Sequence, residues 1–351
     1  GRLDEPDVDR SPAPHALGAV PFEDDRHSLA AAELAGCVAT AGHGHQNGVV
    51  AGRFAPSPTG DLHLGNLRTA LVAWLAARSE GSGFLVRMED LDPHQSSRQH
   101  EESQFTELGS IGMDWNGDVV RQSERFHLYE DAIYQLRNRG LVYECFCSRR
   151  EVRAEIEAAP QAPHLPPGSY PGTCRELTSA EREVRRASGR PPALRLRTDG
   201  EIIGFEDRVH GSVEAGVDDV VLRRNDGTPA YNLAVVVDDA LQGVTEVVRG
   251  DDLLASTPRH LHLQTLLGLP HPEYAHVPLV MGDDGERLSK RTGSTTLEGL
   301  AESGVGPERV VAWIGWSLGL CDASEEVRLA DLLARFDWAA VPRRSVPTPE
   351  F

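Results

Sequence analysis

The chain has 351 residues, with 54 acidic against 35 basic side chains and a formal net charge of -19. This length can bury a substantial core in one large or two linked domains, and no apolar run reaches membrane-spanning length, so we expect a soluble, cytoplasmic protein with no membrane partner. The acidic balance argues against unspecific binding of nucleic acid, so any RNA contact must come from local basic patches.

The first 48 residues differ in composition from the rest of the chain. They are acidic, rich in Pro, Ala, Gly and His, and without sustained periodicity, which predicts a disordered leader over residues 1–48. The segment is too acidic for an organelle transit peptide, and it lacks the apolar core of a secretory signal. We therefore expect the folded part to begin near residue 49.

A strand, a tight loop and a helix are predicted at the start of the periodic sequence. Residues 49–55 are apolar and strand-like, the loop after them contains two prolines and two glycines, and residues 67–77 have a helical pattern. Such a junction directs unpaired N–H groups and the positive end of a helix dipole at whatever lies above the sheet. It therefore suits a phosphate chain, with His63 at its mouth.

A second strand is predicted at residues 83–88, and it ends in an acidic cluster that begins with Glu89. Carboxylates just past the C-terminal end of a strand lie where an open α/β sheet binds its ligands. Helices are predicted at residues 97–111 and 123–139. This alternation of strands and helices predicts an α/β fold with a doubly wound parallel sheet, and residues 49–139 are its first half.

The alternation stops near residue 140, and we interpret residues 140–216 as an insertion between two halves of the sheet. The segment contains a helical pattern at residues 179–188 and short strand-like pieces at 194–197 and 202–207. It also contains three of the five cysteines of the chain.

Cys145, Cys147 and Cys174 are candidate thiolate ligands for one tetrahedral, structural Zn²⁺. The odd, uneven set of five cysteines disfavours a disulfide scaffold and favours a reducing compartment with a metal site. From chemistry alone His164 is the preferred fourth ligand, because imidazole is much commoner in zinc sites than the phenolate of a residue such as Tyr170. Buried cysteines without a metal remain the alternative.

The β pattern resumes in residues 217–295, which we interpret as the second half of the sheet. The predicted elements in chain order are strands at 220–224, 231–237 and 244–248, a helix at 258–267 and a strand at 277–281. A polar, glycine-containing loop at 283–293 follows, and its Lys290 is a candidate phosphate partner. Residues 296–351 are predicted to be a short helical region, with two helical patterns at 297–320, and a tail that matches no element.

The segments at residues 53–66 and 283–293 resemble, as a pair, the HIGH and KMSKS signatures of class I aminoacyl-tRNA synthetases. The phrase Arg-Phe-Ala-Pro-Ser-Pro-Thr-Gly-x-Leu-His-Leu-Gly-Asn, which begins at Arg53, is similar to the glutamyl branch. The resemblance covers about residues 50–320. It implies a Rossmann-like catalytic domain whose halves flank a zinc-bearing, acceptor-type insertion.

The reaction implied by this resemblance joins the carboxylate of an amino acid to the α-phosphate of ATP, and pyrophosphate leaves. No protein nucleophile is required, so the catalyst works by positioning and by neutralising charge on the phosphates, with Mg²⁺ accompanying ATP. His63 and Lys290 are the expected catalytic residues. The expected ATP-binding residues are Thr59, His63, Gly65, Asn66, Arg287, Leu288, Ser289 and Lys290.

The lysine loop departs from the family pattern at three positions. Arg287 and Arg291 stand where KMSKS has its first Lys and last Ser, and Leu288 replaces Met. Because the charge at the first position is kept, we expect activation to survive these changes.

L-glutamate carries one ammonium and two carboxylates, so its pocket needs a protein carboxylate and guanidinium groups. The resemblance implies that Arg53 and Ser57 contact the amino acid, that Glu89 holds its amino group, and that Tyr231 and Arg249 complete the pocket. We expect these side chains at successive strand ends. The full expected set for glutamate is Arg53, Phe54, Ala55, Pro56, Ser57, Glu89, Tyr231 and Arg249.

The pattern Cys-x-Cys followed by Tyr-x-x-x-Cys is similar to glutamyl-Q tRNA(Asp) synthetases, truncated relatives in which the tyrosine completes the zinc site. This resemblance favours Tyr170 over His164. It implies an enzyme without an anticodon-binding domain that forms glutamyl-adenylate without tRNA and transfers glutamate to the queuosine base in the anticodon of tRNA-Asp. We expect a monomer.

Three other functions remain open from the sequence. The nearest is a conventional glutamyl-tRNA synthetase that charges a tRNA 3′ end. A catalytically silent tRNA-binding module is disfavoured by the presence of His63, Lys290, Glu89 and Arg249. A small-molecule nucleotidyltransferase would leave the cysteine-bearing insertion without a purpose.

Overall fold

The computed structural model describes residues 51–158, 165–166, 168–282, 288, 295–349 and 351. The predicted leader at 1–48, the candidate ligand His164 and the loop residues Arg287, Ser289, Lys290 and Arg291 lie outside the described residues. Among the described helices, none combines the length and the apolar character needed to cross a lipid bilayer.

The described strands and helices alternate over most of the chain. In chain order the strands are β1 (Ala51–Phe54), β2 (Gly83–Met88), β3 (Val120–Arg121), β4 (Val142–Cys145), β5 (Ala193–Leu196), β6 (Ile202–Asp207), β7 (Gly211–Gly216), β8 (Val221–Arg223), β9 (Glu246–Gly250), β10 (Glu273–Val277), β11 (Val280–Met281) and β12 (Val346–Pro347). The helices are α1 (Leu64–Ser79), α2 (Arg98–Ser110), α3 (Phe126–Asn138), α4 (Arg149–Ala158), α5 (Ser179–Ala187), α6 (Tyr231–Leu241), α7 (Thr257–Leu267), α8 (Leu297–Glu302), α9 (Pro307–Ser317) and α10 (Leu329–Arg335).

Parallel strands form the centre of the molecule, as predicted for the fold class. β1, β2 and β3 pair in parallel, and so do β9 and β10 and then β10 and β6. The two groups meet at a parallel bridge between Ala51 and Val244, where the Thr245 N–H donates to the Ala51 carbonyl at 3.1 Å. The carboxyl ends of β1, β2 and β9 therefore lie together, at the edge where open sheets bind ligands.

Helix α1 packs closely against this sheet because its apolar side chains meet a glycine. A Cβ atom added to Gly52 on β1 would lie 2.9 Å from the Ala77 side chain of α1, so only glycine permits this approach. The buried residues of α1 join the core that also contains side chains of α9 and α10. The C-terminal segment, which matched no predicted element, thus completes the core, and its β12 pairs in parallel with β11.

Two strands of the predicted insertion and one strand beyond it form a separate small sheet, in which β4, β5 and β8 pair antiparallel in the order β4-β5-β8. The assignment of residues 220–224 to the second half of the parallel sheet is therefore wrong, because β8 pairs with β5. The hairpin of β6 and β7 instead extends the parallel sheet, through the pair Tyr274 and Asp207 on β10 and β6. One end of the segment at 140–216 is therefore part of the sheet that carries the site.

Two predicted strands are wrong. The run at 231–237 belongs to helix α6, and it reads as a strand because Leu233 to Ala240 are buried on every side, which removes any periodicity from the pattern. Tyr231 therefore stands at a helix N-terminus and not at a strand end. The strand predicted at 277–281 is divided at Pro278, which has no N–H to donate, and β10 begins four residues earlier, at Glu273.

Candidate active site

One cavity of about 560 Å³ opens at the carboxyl ends of β1, β2 and β9. Every predicted glutamate-pocket or ATP-pocket residue that the structure describes lines it, from two distant parts of the chain: Arg53, Phe54, Ala55, Pro56, Ser57, Thr59, His63, Gly65, Asn66, Glu89, Tyr231, Arg249 and Leu288. The sequence analysis missed eight further lining residues: Leu62, Thr69, Val248, Gly250, Asp252, Leu253, Leu279 and Val280. Leu62, Val248 and Gly250 are sequence neighbours of a predicted residue, and this adjacency was the one available signal.

Helix α2 holds the loop between β1 and α1 in place. The Gln104 amide donates to the carbonyls of Ser57 at 3.2 Å and Gly60 at 2.7 Å, and the Leu62 N–H donates to Glu107 Oε2 at 2.9 Å. Burial raises the pKa of Glu107 to about 7. The loop shape is therefore fixed by side chains some 45 positions downstream, which no local sequence pattern could reveal.

His63 is the N-cap residue of α1. Its Nδ1 accepts from the Asn66 N–H at 3.2 Å, and the Asn66 Oδ1 accepts from the His63 N–H at 3.3 Å, which together form a capping box. A Cβ at Gly65 would lie 3.0 Å from the His63 ring, so glycine gives the imidazole its space. The imidazole thus stands at the positive end of the α1 dipole, facing the cavity.

The described residues on either side of the lysine loop contact residues that line the cavity. Leu288 is buried and its N–H donates to the Val280 carbonyl at 3.4 Å, while Thr296 bridges to His63. The segment between these points begins and ends at the rim of the cavity. Lys290 itself lies outside the described residues.

A buried charge network lies at the part of the cavity that contains Arg53 and Glu89. Arg53 Nε donates to Asp239 Oδ1 at 3.3 Å, and its NH1 donates to the Val248 carbonyl at 3.2 Å. Arg87 lies 2.8 Å from Asp239 and 3.7 Å from Glu89. Burial raises the pKa of Glu89 to about 7, against the opposing charges of Arg87 and Arg53. The carboxyl group of Glu89 is thus open to a further cation.

Arg249 has a different environment, because its partners are neutral. Its Nε donates to His276 Nε2 at 3.0 Å, its NH2 donates to Thr257 Oγ1 at 2.8 Å, and its NH1 lies 3.1 Å from His260 Nδ1. Burial lowers the pKa of His276 to about 4 and that of His260 well below its usual value, so both rings are neutral at pH 7. Within the described part of the chain, Arg249 forms no ion pair with a carboxylate.

Tyr231 contributes an aromatic wall between these charged groups. Its ring meets that of His260 edge to face, with 5.9 Å between centroids. Burial is the main cause that raises the pKa of its hydroxyl, so the phenol stays neutral and can donate a hydrogen bond. The cavity is therefore lined by buried arginines, carboxyl groups and one phenol.

A second cluster in the insertion has the geometry of a metal site. Cys145, Cys147 and Cys174 present sulfurs that all lie within 4.8 Å of one another, and Cys147 Sγ is 3.5 Å from Cys174 Sγ. The Tyr170 hydroxyl lies 3.4 Å from Cys145 Sγ and 3.6 Å from Cys147 Sγ. Ligands of a tetrahedral zinc thiolate are separated by about 3.7 Å, so four groups in this arrangement fit the ion.

The surroundings of Tyr170 act on its hydroxyl in opposite directions. Burial and the neighbouring Cys145 and Cys147 thiols raise its pKa, whereas the Cys174 N–H, which donates to the hydroxyl oxygen at 2.9 Å, acts to lower it. The Arg195 guanidinium lies 3.7 Å from the centre of the Tyr170 ring. The geometry thus brings together the four residues of the predicted metal site, with Tyr170 in the fourth position.

Comparison with known proteins gives matches over most of the chain. Residues 49–338 match the family model described as tRNA synthetases class I (E and Q), catalytic domain. The chain is 58% identical over 293 residues to the glutamyl-Q tRNA(Asp) synthetase of Nocardia farcinica (strain IFM 10152), covering 84% of this chain and 91% of the relative. This match confirms the resemblance found in the sequence.

Two further proteins mark the wider family. The glutamate–tRNA ligase of Oleidesulfovibrio alaskensis (strain ATCC BAA-1058 / DSM 17464 / G20) is 42% identical over 290 residues, which are 81% of this chain and 60% of that protein. The crystal structure of a glutamate tRNA ligase from Elizabethkingia meningosepticum CCUG26117, in complex with its amino acid, superimposes with a TM-score of 0.72 at 30% identity, covering 85% of this chain and 67% of that one.

Proposed function

Since the chain belongs to the family of class I tRNA synthetase catalytic domains for glutamate and glutamine, we propose that it activates L-glutamate with ATP, without tRNA, and transfers the glutamyl group to the queuosine base in the anticodon of tRNA-Asp. Family membership makes the chain an enzyme of the ligase type, with ATP, glutamate and tRNA as its classes of substrate. The reaction steps, the roles of the site residues and the identity of the tRNA are what we propose.

The observation that carries the choice of glutamate is the charge pattern of the cavity. Arg249 is a buried cation whose described partners are neutral, so an anionic ligand can neutralise it at little further desolvation cost. Glu89 lines the same cavity and can accept an ammonium. In this proposal Arg249 binds the side-chain carboxylate and Glu89 the amino group, while Arg53, Ser57 and Tyr231 fix the rest of the molecule.

In the same proposal, the ATP phosphates lie at the start of α1, and glutamate is activated there. An α-carboxylate oxygen of glutamate attacks the α-phosphorus of ATP, and the bond to pyrophosphate breaks. His63 and the N–H groups at the start of α1 would stabilise the charge that grows on the phosphate oxygens, and Lys290 would neutralise the leaving pyrophosphate. Mg²⁺ would be held mainly by phosphates and water.

A structural role for Zn²⁺ is supported by the fit of Cys145, Cys147, Tyr170 and Cys174 to a tetrahedron. The ion would fix the small sheet of β4, β5 and β8 against the segment that contains Tyr170 and Cys174. It takes no part in the activation step, because the cluster is formed by other residues than those that line the cavity.

The transfer step separates the proposal from a conventional glutamyl-tRNA synthetase, the function that the match to a glutamate–tRNA ligase favours. Labelled glutamate, ATP and the enzyme are incubated with tRNA-Asp that contains or lacks queuosine, and with an isolated queuosine-bearing anticodon stem-loop. We expect label on both queuosine-containing acceptors and none on the other. Label at the 3′ end of a tRNA-Glu, independent of queuosine, would overturn the proposed acceptor.

A further inference from the structure

Arg249 uses almost all of its hydrogen-bonding capacity on the protein. A guanidinium has five N–H donors. Four have described acceptors: His276 Nε2, His260 Nδ1, Thr257 Oγ1 and, at 3.4 Å, the Leu253 carbonyl. One N–H of NH1 is left to a ligand, so the direction in which Arg249 can bind a carboxylate is set by the groups that hold it.

Arg249, His276 and Asp207 form a line across three neighbouring strands. Arg249 on β9 is in register with His276 on β10, and Asp207 ends β6, the next strand. The Asp207 Oδ2 lies 2.6 Å from His276 Nδ1 and also accepts the His276 N–H at 3.1 Å. Asp207 and His276 are both buried. Arg249 is therefore connected to the Asp207 carboxylate through the His276 ring.

The protonation pattern of this line follows from donors and acceptors. Asp207 accepts, so His276 carries its proton on Nδ1, which leaves Nε2 as an acceptor for Arg249. If the proton sat on Nε2 instead, two N–H groups would face each other across 3.0 Å. A carboxylate at position 207 therefore fixes the tautomer that Arg249 requires, and it does so without neutralising the arginine directly.

We propose that Asp207 and His276 are positioning residues of the amino-acid pocket, which hold Arg249 so that its one remaining N–H and its unneutralised charge serve the side-chain carboxylate of the substrate. The inference rests on the proposed function, because it assigns a ligand to that N–H. It also links the segment at residues 140–216 to substrate selection, because Asp207 is supplied by the end of β6.

The first test compares three variants at position 276 or beside it, by glutamate-dependent exchange of pyrophosphate into ATP. His276→Leu removes the acceptor for Arg249, His276→Gln can restore an acceptor near Nε2, and Thr257→Val removes one hydroxyl without changing the shape. We expect the KM for glutamate to rise about 10- to 100-fold in His276→Leu and Thr257→Val, with the KM for ATP unchanged, because lost hydrogen bonds to a charged group have this size. His276→Gln should recover most of the loss.

His262→Leu is the matched control, because His262 is also a buried histidine but its described ionic partner is Glu201, 3.9 Å away, and not Arg249. Its KM for glutamate should equal that of the wild type. A wild-type glutamate KM in folded His276→Leu and Thr257→Val would overturn the inference, and so would an equal rise in the KM for ATP. Wild-type enzyme without any glutamate-dependent exchange would instead overturn the proposed function.

A double-mutant cycle tests whether Asp207 acts through His276. Asp207 also accepts the N–H groups of Val209 and His210, both at 2.9 Å, so Asp207→Asn should lower the thermal midpoint by loosening this turn. Its effect on the glutamate KM should appear in the wild type and vanish in the His276→Gln background, while the loss of thermal stability persists in both. Additive effects on the glutamate KM would show that Asp207 has only a structural role.

Discussion

Glu89 and Arg249 illustrate how two residues of opposite charge in one cavity can both remain available to bind charged groups of a ligand. Arg53 pairs with Asp239, and Arg87 pairs with Asp239 and lies 3.9 Å from Asp238, so both arginines have carboxylate partners within the protein. Arg249 is not compensated by any described carboxylate, and Glu89 lies 3.7 Å from its nearest cation, Arg87. In the proposed function, this pair of charges binds a zwitterionic ligand with an additional carboxylate.

Glutamate binding should depend on pH through Glu89. Because burial raises its pKa to about 7, a large fraction of the free enzyme is protonated at pH 6 and cannot bind an ammonium as a carboxylate. The KM for glutamate should therefore fall as the pH rises from 6 to 8, by up to about tenfold. Exchange kinetics at several pH values measure this change.

Glu89→Gln is the control for this dependence. It should weaken glutamate binding at all pH values and abolish the change with pH between 6 and 8. A glutamate KM in the wild type that is flat across this range would contradict the role of Glu89.

At the scale of single residues, the sequence predicted which side chains line the cavity but not what holds them. The residues of the loop at 53–66 and the pocket residues Glu89 and Arg249 lie where their motifs suggested. Their supports lie far away in sequence: Asp239 is 186 positions from Arg53, and Asp207 is 69 positions from His276. Contacts of this range depend on how strands are ordered in the sheet, which local patterns do not specify.

Helix α2 is an example of an element whose role is to shape a loop. Its Gln104 and Glu107 bind the backbone between β1 and α1, and the Glu107 side chain is buried next to the charges of Asp61 and Glu298. The pKa of Glu107 is raised in the folded state to about 7, above its value of 4.5 in an unfolded chain. Folding is therefore favoured by protonation of this carboxyl group.

The sign of this linkage gives a stability prediction. The contribution of Glu107 is fully present below about pH 4.5 and is lost as the pH rises through 7. Glu107→Gln, which resembles the protonated form and keeps an acceptor for Leu62, should raise the free energy of unfolding at pH 8 by about 1–3 kcal/mol and change it little at pH 5. Urea unfolding at both pH values measures it, and equal effects at the two would contradict the assignment.

The metal cluster connects strand β4, which contains Cys145, with the segment that contains Tyr170 and Cys174. We expect one Zn²⁺ per chain by elemental analysis. Cys174→Ser should lose the ion and have a lower thermal midpoint.

Tyr170→Phe tests the fourth ligand. This change should weaken zinc binding, which competition by a chromogenic chelator measures. Cys321→Ser is the matched control, because this thiol lies outside the cluster, and it should keep the full zinc content. Unchanged zinc affinity in Tyr170→Phe would remove the tyrosine from the ligand set.

Secondary structure was predicted well where the patterns are amphipathic or clearly interrupted. The strand at 83–88 and the strand at 202–207 have the predicted bounds, and helix α2 differs by one residue at each end. The failure at 231–237 has a physical cause, because a helix buried on all sides has no polar face to reveal its period. The sequence pattern was thus sufficient to predict the type of these elements, and it was insufficient to predict that residues 231–237 form a buried helix.

At the scale of the molecule, the two halves of the sheet line one cavity, and the end of the predicted insertion and the C-terminal segment support its walls from outside. The final segment, which no pattern assigned, pairs through β12 with β11, directly before the lysine loop. The Val346 N–H donates to the Leu279 carbonyl at 3.1 Å, and Leu279 lines the cavity. The cavity wall is therefore supported from residues near both limits of the described chain.

The most direct measurement is the exchange of labelled pyrophosphate into ATP in the absence of tRNA, with L-glutamate or L-glutamine as the amino acid. The uncompensated charge of Arg249 predicts exchange with glutamate, a kcat/KM at least about tenfold lower with glutamine, and a loss of orders of magnitude in His63→Ala. Exchange that requires tRNA, or that proceeds as well with glutamine as with glutamate, would contradict the account.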